Sequence, residues 1–334
     1  MRQVKAIPAG FGIRTFVIIL AMLVVIGGIG LLLWHRASPR TIATVEYPML
    51  ESNDVPTMIA ASPDGAVWFT IDSAAAVGRI QDGKMLRLPK PARNLEPIGL
   101  AVAPDGAAWY TDGPAKVVSR MSPSGDITSV DIDTPIARLG QIALAPNGAA
   151  WFAEPNAFSV TRLKDGVLKR HLVDSARPGL LGIAVAADGT VWATDQGADQ
   201  IVRIGVDGVM RTYEVPTRGS SPSDIAVDAK GTVWFLEFRG NKLGRLQDGK
   251  FEEFSFGEQN VGPTGIAVAP DGSIWFCELR TGGLGRFRDG KIEVFKLKRE
   301  NARPYSVSVD RAGNVWYADI TGWVGKFAAG DAKR

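Results

Sequence analysis

An all-β fold, a seven-bladed β-propeller with four-stranded blades, is predicted by three regularities of this sequence. Tryptophans recur at Trp68, Trp109, Trp151, Trp192, Trp234, Trp275 and Trp316, always 41 or 42 residues apart. Each follows a tight-turn signal, such as Pro63-Asp64-Gly65, Pro146-Asn147-Gly148 or Pro270-Asp271-Gly272. Each is followed within four residues by an acid: Asp72, Asp112, Glu154, Asp195, Glu237, Glu278 or Asp319. A period in the low forties, built from short strands and Asp-Gly turns, is the sequence signature of propeller blades.

In chain order, residues 1–15 form a short basic tail that includes Arg2, Lys5 and Arg14. Phe16 to Trp34 is an uncharged apolar run of 19 residues. As a helix it spans about 28 Å, the hydrocarbon thickness of a bilayer. The preceding basic residues orient such a helix with its N-terminus in the cytoplasm. The apolar run is longer than a cleavable leader needs, and Trp34-His35-Arg36 lacks the small residues of a cleavage site. Residues 16–34 are therefore expected to be a membrane anchor, 35–41 a linker, 42–328 a propeller outside the cytoplasm (periplasmic or extracellular), and 329–334 a tail.

Each repeat reads as four strands. An inner Ile-Ala-Val type run (Ile266-Ala267-Val268) precedes the Trp-Phe strand. A strand such as Leu243-Gly244-Arg245-Leu246 follows, and an Asp-Gly-Lys turn leads to an outer strand such as Phe251-Glu252-Glu253-Phe254. The last repeat runs out near Phe327 without an outer strand, whereas Ile42 to Pro48 resembles an outer strand with no blade before it. The N-terminal strand is thus expected to complete the last blade and close the ring, which leaves only short edges.

The formal charge of +3 comes from the N-terminus. The first 40 residues carry five basic side chains and no acid, so the remainder holds 33 basic against 35 acidic residues. That balance gives no basic surface for nucleic acid. The single cysteine, Cys277, excludes an intramolecular disulfide and a cysteine metal cage, and its place in a strand predicts a buried apolar role.

Residues present in every blade are expected to be architectural. The tryptophans are assigned to packing between blades. The basic residues eleven positions after most of them (Arg79, Arg120, Arg162, Arg203, Arg245, Arg286) are assigned to ion pairs with the recurrent acids. A ligand site, in contrast, is expected to break the symmetry.

The Pro-Asp-Gly-x-x-Trp-Phe-x-Glu run, with an Ile-Ala-Val strand before it and a Gly-Arg-Leu or Gly-Arg-Ile strand after it, resembles the streptogramin B lyase (virginiamycin B lyase) family over most of residues 42–327. The resemblance implies a seven-bladed propeller that linearises a cyclic depsipeptide by elimination, with Mg²⁺. It also implies a catalytic histidine fourteen residues before the glutamate of Glu278's motif. Thr264 stands there, in Pro263-Thr264-Gly265-Ile266, so the family's base is absent. The two histidines, His35 at the membrane boundary and His171 on an outer, solvated strand, do not replace it.

The candidate site residues are the symmetry-breaking polar groups around the channel mouth. Glu278, Glu237 and Thr264 are the catalytic candidates. Ser223, Asp224, Tyr305, Arg280, Gln141 and Glu96 are the ligand-binding candidates. Glu278, Glu237 and Asp224 are the candidate oxygen donors for a divalent cation. The preferred reading is an anchored propeller that binds a small molecule or an envelope protein on one face. The alternative is a carbon-oxygen lyase with a glutamate as base, and a structural envelope scaffold is a third class. Unpaired carboxylates at the mouth favour the enzyme, an apolar face favours binding, and a channel plugged by ion pairs favours the scaffold. The oligomeric state is left open by the sequence.

Overall fold

Runs of alternating strand-forming residues separated by tight turns pair locally into antiparallel sheets, and the chain does this seven times. The computed structural model describes residues 39–328 other than 73, 92–96, 134–137, 176, 178 and 258. The basic tail, the apolar run Phe16–Trp34, the start of the linker, Glu96 and the C-terminal tail lie outside the described residues. Among the described residues, no helix is long and apolar enough to cross a membrane.

The sheets are blade 1 (55–89), blade 2 (97–131), blade 3 (142–172), blade 4 (180–214), blade 5 (222–255), blade 6 (263–296) and blade 7 (304–327 with Val45–Pro48). Within a blade the strands lie in sequence order from the central channel outward. First strands of successive blades pack side by side, and Pro304–Val309 of blade 7 lies against Val55–Ala61 of blade 1, so the ring is closed. First strands begin and second strands end at one face, as the pairing of Pro263 with Glu278 shows. We call this the mouth face; the opposite face carries the Asp-Gly turns.

Closure follows the expected route with one addition. Val45–Pro48 pairs antiparallel with Trp323–Phe327 as the outer strand of blade 7. Just before it, Arg40–Thr41 pairs parallel with Lys291–Lys296 as a fifth strand of blade 6. The expected single strand is therefore split, and between its halves Ile42 is buried with Trp275, Phe295 and Phe327. Glu46 then accepts a hydrogen bond from the Tyr317 hydroxyl at 2.8 Å and faces Arg299 at 3.4 Å. The N-terminal segment thus ties blades 6 and 7 together.

The seven tryptophans pack as expected. Trp275 joins Val307, Val315 and Phe327 of blade 7, Trp316 joins Ile59 and Phe69 of blade 1, and Trp68 joins Leu100 and Tyr110 of blade 2. The other four repeat the pattern. Each ring removes about 200 Å² of apolar surface from water, on the order of 5 kcal/mol of transfer free energy before entropy is charged against it.

The recurrent arginines correct one expectation. Strand pairing sets Arg79 beside Trp68 and Arg286 beside Trp275, with guanidinium groups 5.2 and 5.5 Å from the ring centres. The arginines meet acids of the turns and outer strands, as in Arg79–Asp64 at 2.9 Å and Arg286–Glu293 at 2.5 Å. They do not meet the acids that follow Trp-Phe, because those stand at the far end of the strand.

The third-strand glycines explain the rest of the repeat. Gly78, Gly244, Gly285 and Gly325 lie flat under Phe69, Phe235, Phe276 and Tyr317, and a Cβ would overlap each ring. Blade 4 inverts the pair, with Ala193 opposite Val202. Gly285→Ala is expected to cost about 3 kcal/mol by overpacking. Gly290→Ala, in a turn with φ of 77° and open space around it, is expected to cost about 1 kcal/mol of backbone strain. Denaturant midpoints of the two variants test this, and equal losses would remove the packing account.

Candidate functional site

The inner strands carry register shifts near the mouth face, for example between Thr264 and Ile266 and between Pro222 and Ile225. Each shift leaves an amide outside the strand ladder, and a buried amide needs an acceptor. Short polar side chains supply it. Ser306 Oγ accepts from the Ile59 amide at 3.3 Å, and Thr194 Oγ1 accepts from the Gly182 amide at 2.9 Å.

Asp224 does this twice. Its Oδ1 accepts from the Ile225 amide at 2.9 Å, and its Oδ2 accepts from the Ile266 amide of blade 6 at 3.0 Å. The Gln141 side chain also hydrogen-bonds to it. Burial nevertheless dominates and pushes the Asp224 carboxyl up to about 6. Burial, with a smaller contribution from the charge of Asp224, raises the Tyr305 hydroxyl.

Ser223, Asp224, Thr264, Tyr305 and Gln141, all expected at the mouth, come together with Met58 and Leu181 around a throat of about 30 Å³. That is room for about one water molecule. The corresponding ring positions in three blades are Gly99, Gly182 and Gly265. A Cβ on Gly265 would lie 2.6 Å from the backbone of Ser306, so the larger residues at this level must fill the channel itself.

The other candidates are not in the throat. Glu278 is fully buried at the end of its strand and accepts a hydrogen bond from the Thr281 hydroxyl at 2.5 Å. Glu237 is fully buried toward the outer part of blade 5, beside Thr217 and the Lys242–Glu253 ion pair at 2.6 Å. The Glu237 carboxyl shares this buried cluster with Thr217 and Glu253. Burial first, and then the charge of Glu253, push its carboxyl up to about 8. Arg280 is exposed on the mouth face with its guanidinium 5.1 Å from the Phe238 ring centre. Glu96 lies outside the described residues. Cys277 is buried as expected, and burial drives its thiol pKa well up.

The three-carboxylate cation site expected from Glu278, Glu237 and Asp224 is not assembled. Among the described residues, no group of three or more His, Cys, Asp or Glu side chains is placed to hold a metal. Magnesium needs near-octahedral oxygen donors. Both Asp224 oxygens are already engaged by amides, and the two glutamates turn away into separate blades, so these residues do not fit the ion.

Above the throat the mouth face opens into a bowl of about 440 Å³ over blades 6, 7, 1 and 2. Its walls are mainly apolar, with Val55, Met58, Ile98, Leu279 and Ile320, and Tyr305 forms the boundary with the throat. Among the described residues that line it, Asp72 is the one carboxylate. Most of this wall is apolar and so carries no polar asymmetry in the sequence. A signal was present nonetheless: the residue after the repeat acid is a large apolar one in three consecutive blades (Phe238, Leu279, Ile320) but Ser73, Gly113, Pro155 or Gln196 in the other four.

The model of the Virginiamycin B lyase family matches residues 38–177 and, in a second overlapping match, 87–332. The chain belongs to this family. It is 32% identical over 209 residues to a virginiamycin B lyase of Nocardia farcinica, which covers 61% of this chain and 72% of the relative. Among solved structures, it resembles a catalytically inactive histidine-to-alanine variant of virginiamycin B lyase from Staphylococcus aureus with quinupristin. The TM-score is 0.81 and the identity 26%, over 85% of this chain and 98% of that one. A selenomethionine form of the same S. aureus enzyme matches with TM-score 0.81 and 27% identity, over the same 85% of this chain and 98% of that one.

This family member carries a pH liability in Glu237. Unfolded, its carboxyl releases its proton near the ordinary value of 4.5; folded, it holds the proton up to about 8. Between those values the native state binds the extra proton, so stability falls as pH rises through the window. Glu237→Gln mimics the protonated form and is expected to remove this slope, with a relative gain on the order of a few kcal/mol at pH 9 and little at pH 4. Urea midpoints of both proteins across that range test it, and parallel pH profiles would contradict the assignment.

Proposed function

We propose that this protein is a binding member of a lyase family: an envelope propeller, anchored by Phe16–Trp34, that holds a small molecule with an apolar body in the bowl of its mouth face. The observation that carries this reading is the bowl itself, about 440 Å³ of mainly apolar wall above a throat of about 30 Å³. Concave apolar walls with few polar groups suit a small ligand better than a flat protein partner.

Elimination needs a base within hydrogen-bond reach of the proton it removes. Thr264, at the position where the resemblance implies a histidine, has no basic group. Glu237 and Glu278 are sealed within their blades. Asp224 has a pKa of about 6, suited to base chemistry, but its oxygens serve two backbone amides in a throat too narrow for a cyclic depsipeptide. Binding without ring opening is the reading consistent with all three.

Quinupristin, the compound held by the S. aureus variant, is a suitable first probe. Calorimetric binding is expected, weakened at least tenfold by Leu279→Arg, while mass spectrometry finds the compound intact after long incubation with or without Mg²⁺. Metal-dependent linearisation would establish the lyase instead, and heat of binding unchanged in Leu279→Arg would exclude the bowl.

The anchor has its own test. The full-length chain is expected to sediment with membranes, to resist extraction by high salt, and to be released when residues 1–38 are deleted. Retention of the shortened chain in the membrane would contradict the assignment of Phe16–Trp34.

A further inference from the structure

The cross-strand pairing of the repeat arginine differs between blades in a way that points to the turn face. In blades 5 and 6 the outer strand sets a glutamate opposite it, giving Arg245–Glu252 and Arg286–Glu293, both at 2.5 Å. In blades 1 and 2 the turn aspartate serves instead, as Arg79–Asp64 at 2.9 Å and Arg120–Asp105 at 2.5 Å. Blade 3 has neither. Its turn residue is Asn147, and the residue opposite Arg162 is Lys169. Among the described residues neither cation has an acid within ion-pair distance. Like charges directly opposite each other in a sheet are destabilising, so the pair is a cost with no structural return.

These two cations open onto a cleft of about 370 Å³ between blades 3 and 4. Its inner wall is Trp151, with the His171 ring tilted against it at 5.3 Å between centres. His171, expected on a solvated strand, is half-buried here. Burial first, then the charges of Lys169 and Arg162, lower its pKa from 6.5, so the ring is neutral at pH 7. Across the cleft, Val206 is 75% exposed at the rim. Asp188 and Asp207 also line that far wall, each bonded to its own turn: Asp188 accepts from the Thr190 amide at 2.8 Å and Asp207 from the Val209 amide at 3.0 Å.

The corresponding cleft between blades 6 and 7 supplies an internal control. It is smaller, about 160 Å³, and two of its three arginines, Arg286 and Arg288, are paired with Glu293 and Asp271. Blade 4 also sets two cations opposite each other, Arg203 and Arg211, but neither lines the large cleft.

We propose that the cleft between blades 3 and 4 is a second ligand site, on the face opposite the bowl, for a monocarboxylate with a flat apolar body. The carboxylate sits between Arg162 and Lys169, where paired donors favour a planar two-oxygen acceptor. The apolar body lies against Trp151 and His171, with Val206 closing the rim. The facing aspartates repel a multiply charged anion and so select a single carboxylate over phosphate.

The test is titration of the full-length protein with 3-phenylpropionate, followed by calorimetry and ligand-detected NMR, beside phenethylamine and inorganic phosphate. Phenylpropionate alone is expected to bind. Arg162→Gln is expected to weaken binding at least tenfold. Lys169→Glu installs the Arg–Glu pair of blades 5 and 6, so it is expected to abolish binding while the thermal midpoint holds or rises. Leu279→Arg, in the bowl, is expected to leave this binding unchanged, which separates the site from the quinupristin reading. Absence of phenylpropionate binding, its persistence in Lys169→Glu, its loss in Leu279→Arg, or equal binding of phosphate would each overturn the proposal.

Discussion

The packing of each tryptophan between its own blade and the next is the interaction on which the rest of the molecule depends. A single four-stranded sheet of this size exposes two faces and cannot bury both. Here one face is covered by the previous blade and the other by the following one, so no blade is stable apart from the ring. That dependence explains why the N-terminal segment serves blades 6 and 7 together. With Val45–Pro48 on one and Arg40–Thr41 on the other, the last seam of the circle is held by backbone pairing as well as by side chains.

A closed ring also determines what happens at its centre. Inner strands converge there, their ladders slip near the mouth, and the displaced amides must find acceptors away from bulk water. Ser306, Thr194 and Asp224 are recruited for that purpose. A polar residue that breaks the sequence symmetry in the throat is therefore first a solution to a backbone problem. The space left over is small, and a ligand of any size must lie above it, in the bowl.

Six of the seven acids occupy one position of the repeat, yet they meet different surroundings. Asp112 is paired with Lys90 at 2.5 Å, and Asp319 with Arg299 at 2.6 Å. Glu154 meets Arg170, and Glu278 a threonine hydroxyl. Glu237 is buried beside Thr217 and Glu253, and the adjacent Lys242 is taken by Glu253. The same contrast separates the arginines: what surrounds Arg162 differs from what surrounds Arg286 because of one residue on a neighbouring strand and one in a turn.

The period of the tryptophans, the Asp-Gly turns and the orphan strand at Ile42–Pro48 determined the propeller, its seven blades and its closure from sequence alone, because each rests on local pairing between residues close in the chain. The same spacing identified the throat residues Gln141, Ser223, Asp224, Thr264 and Tyr305, since equivalent positions in a ring must face one another. Direction was decided only by the tertiary structure. Glu237 and Glu278 share a repeat position, but strand pleat and blade twist turn both away from the channel and remove them from any shared cation site. The bowl, too, was illegible as chemistry, because Val55, Ile98, Leu279 and Ile320 are ordinary core-type residues in sequence. They become a binding surface only where four blades bring them to one open face and leave them uncovered.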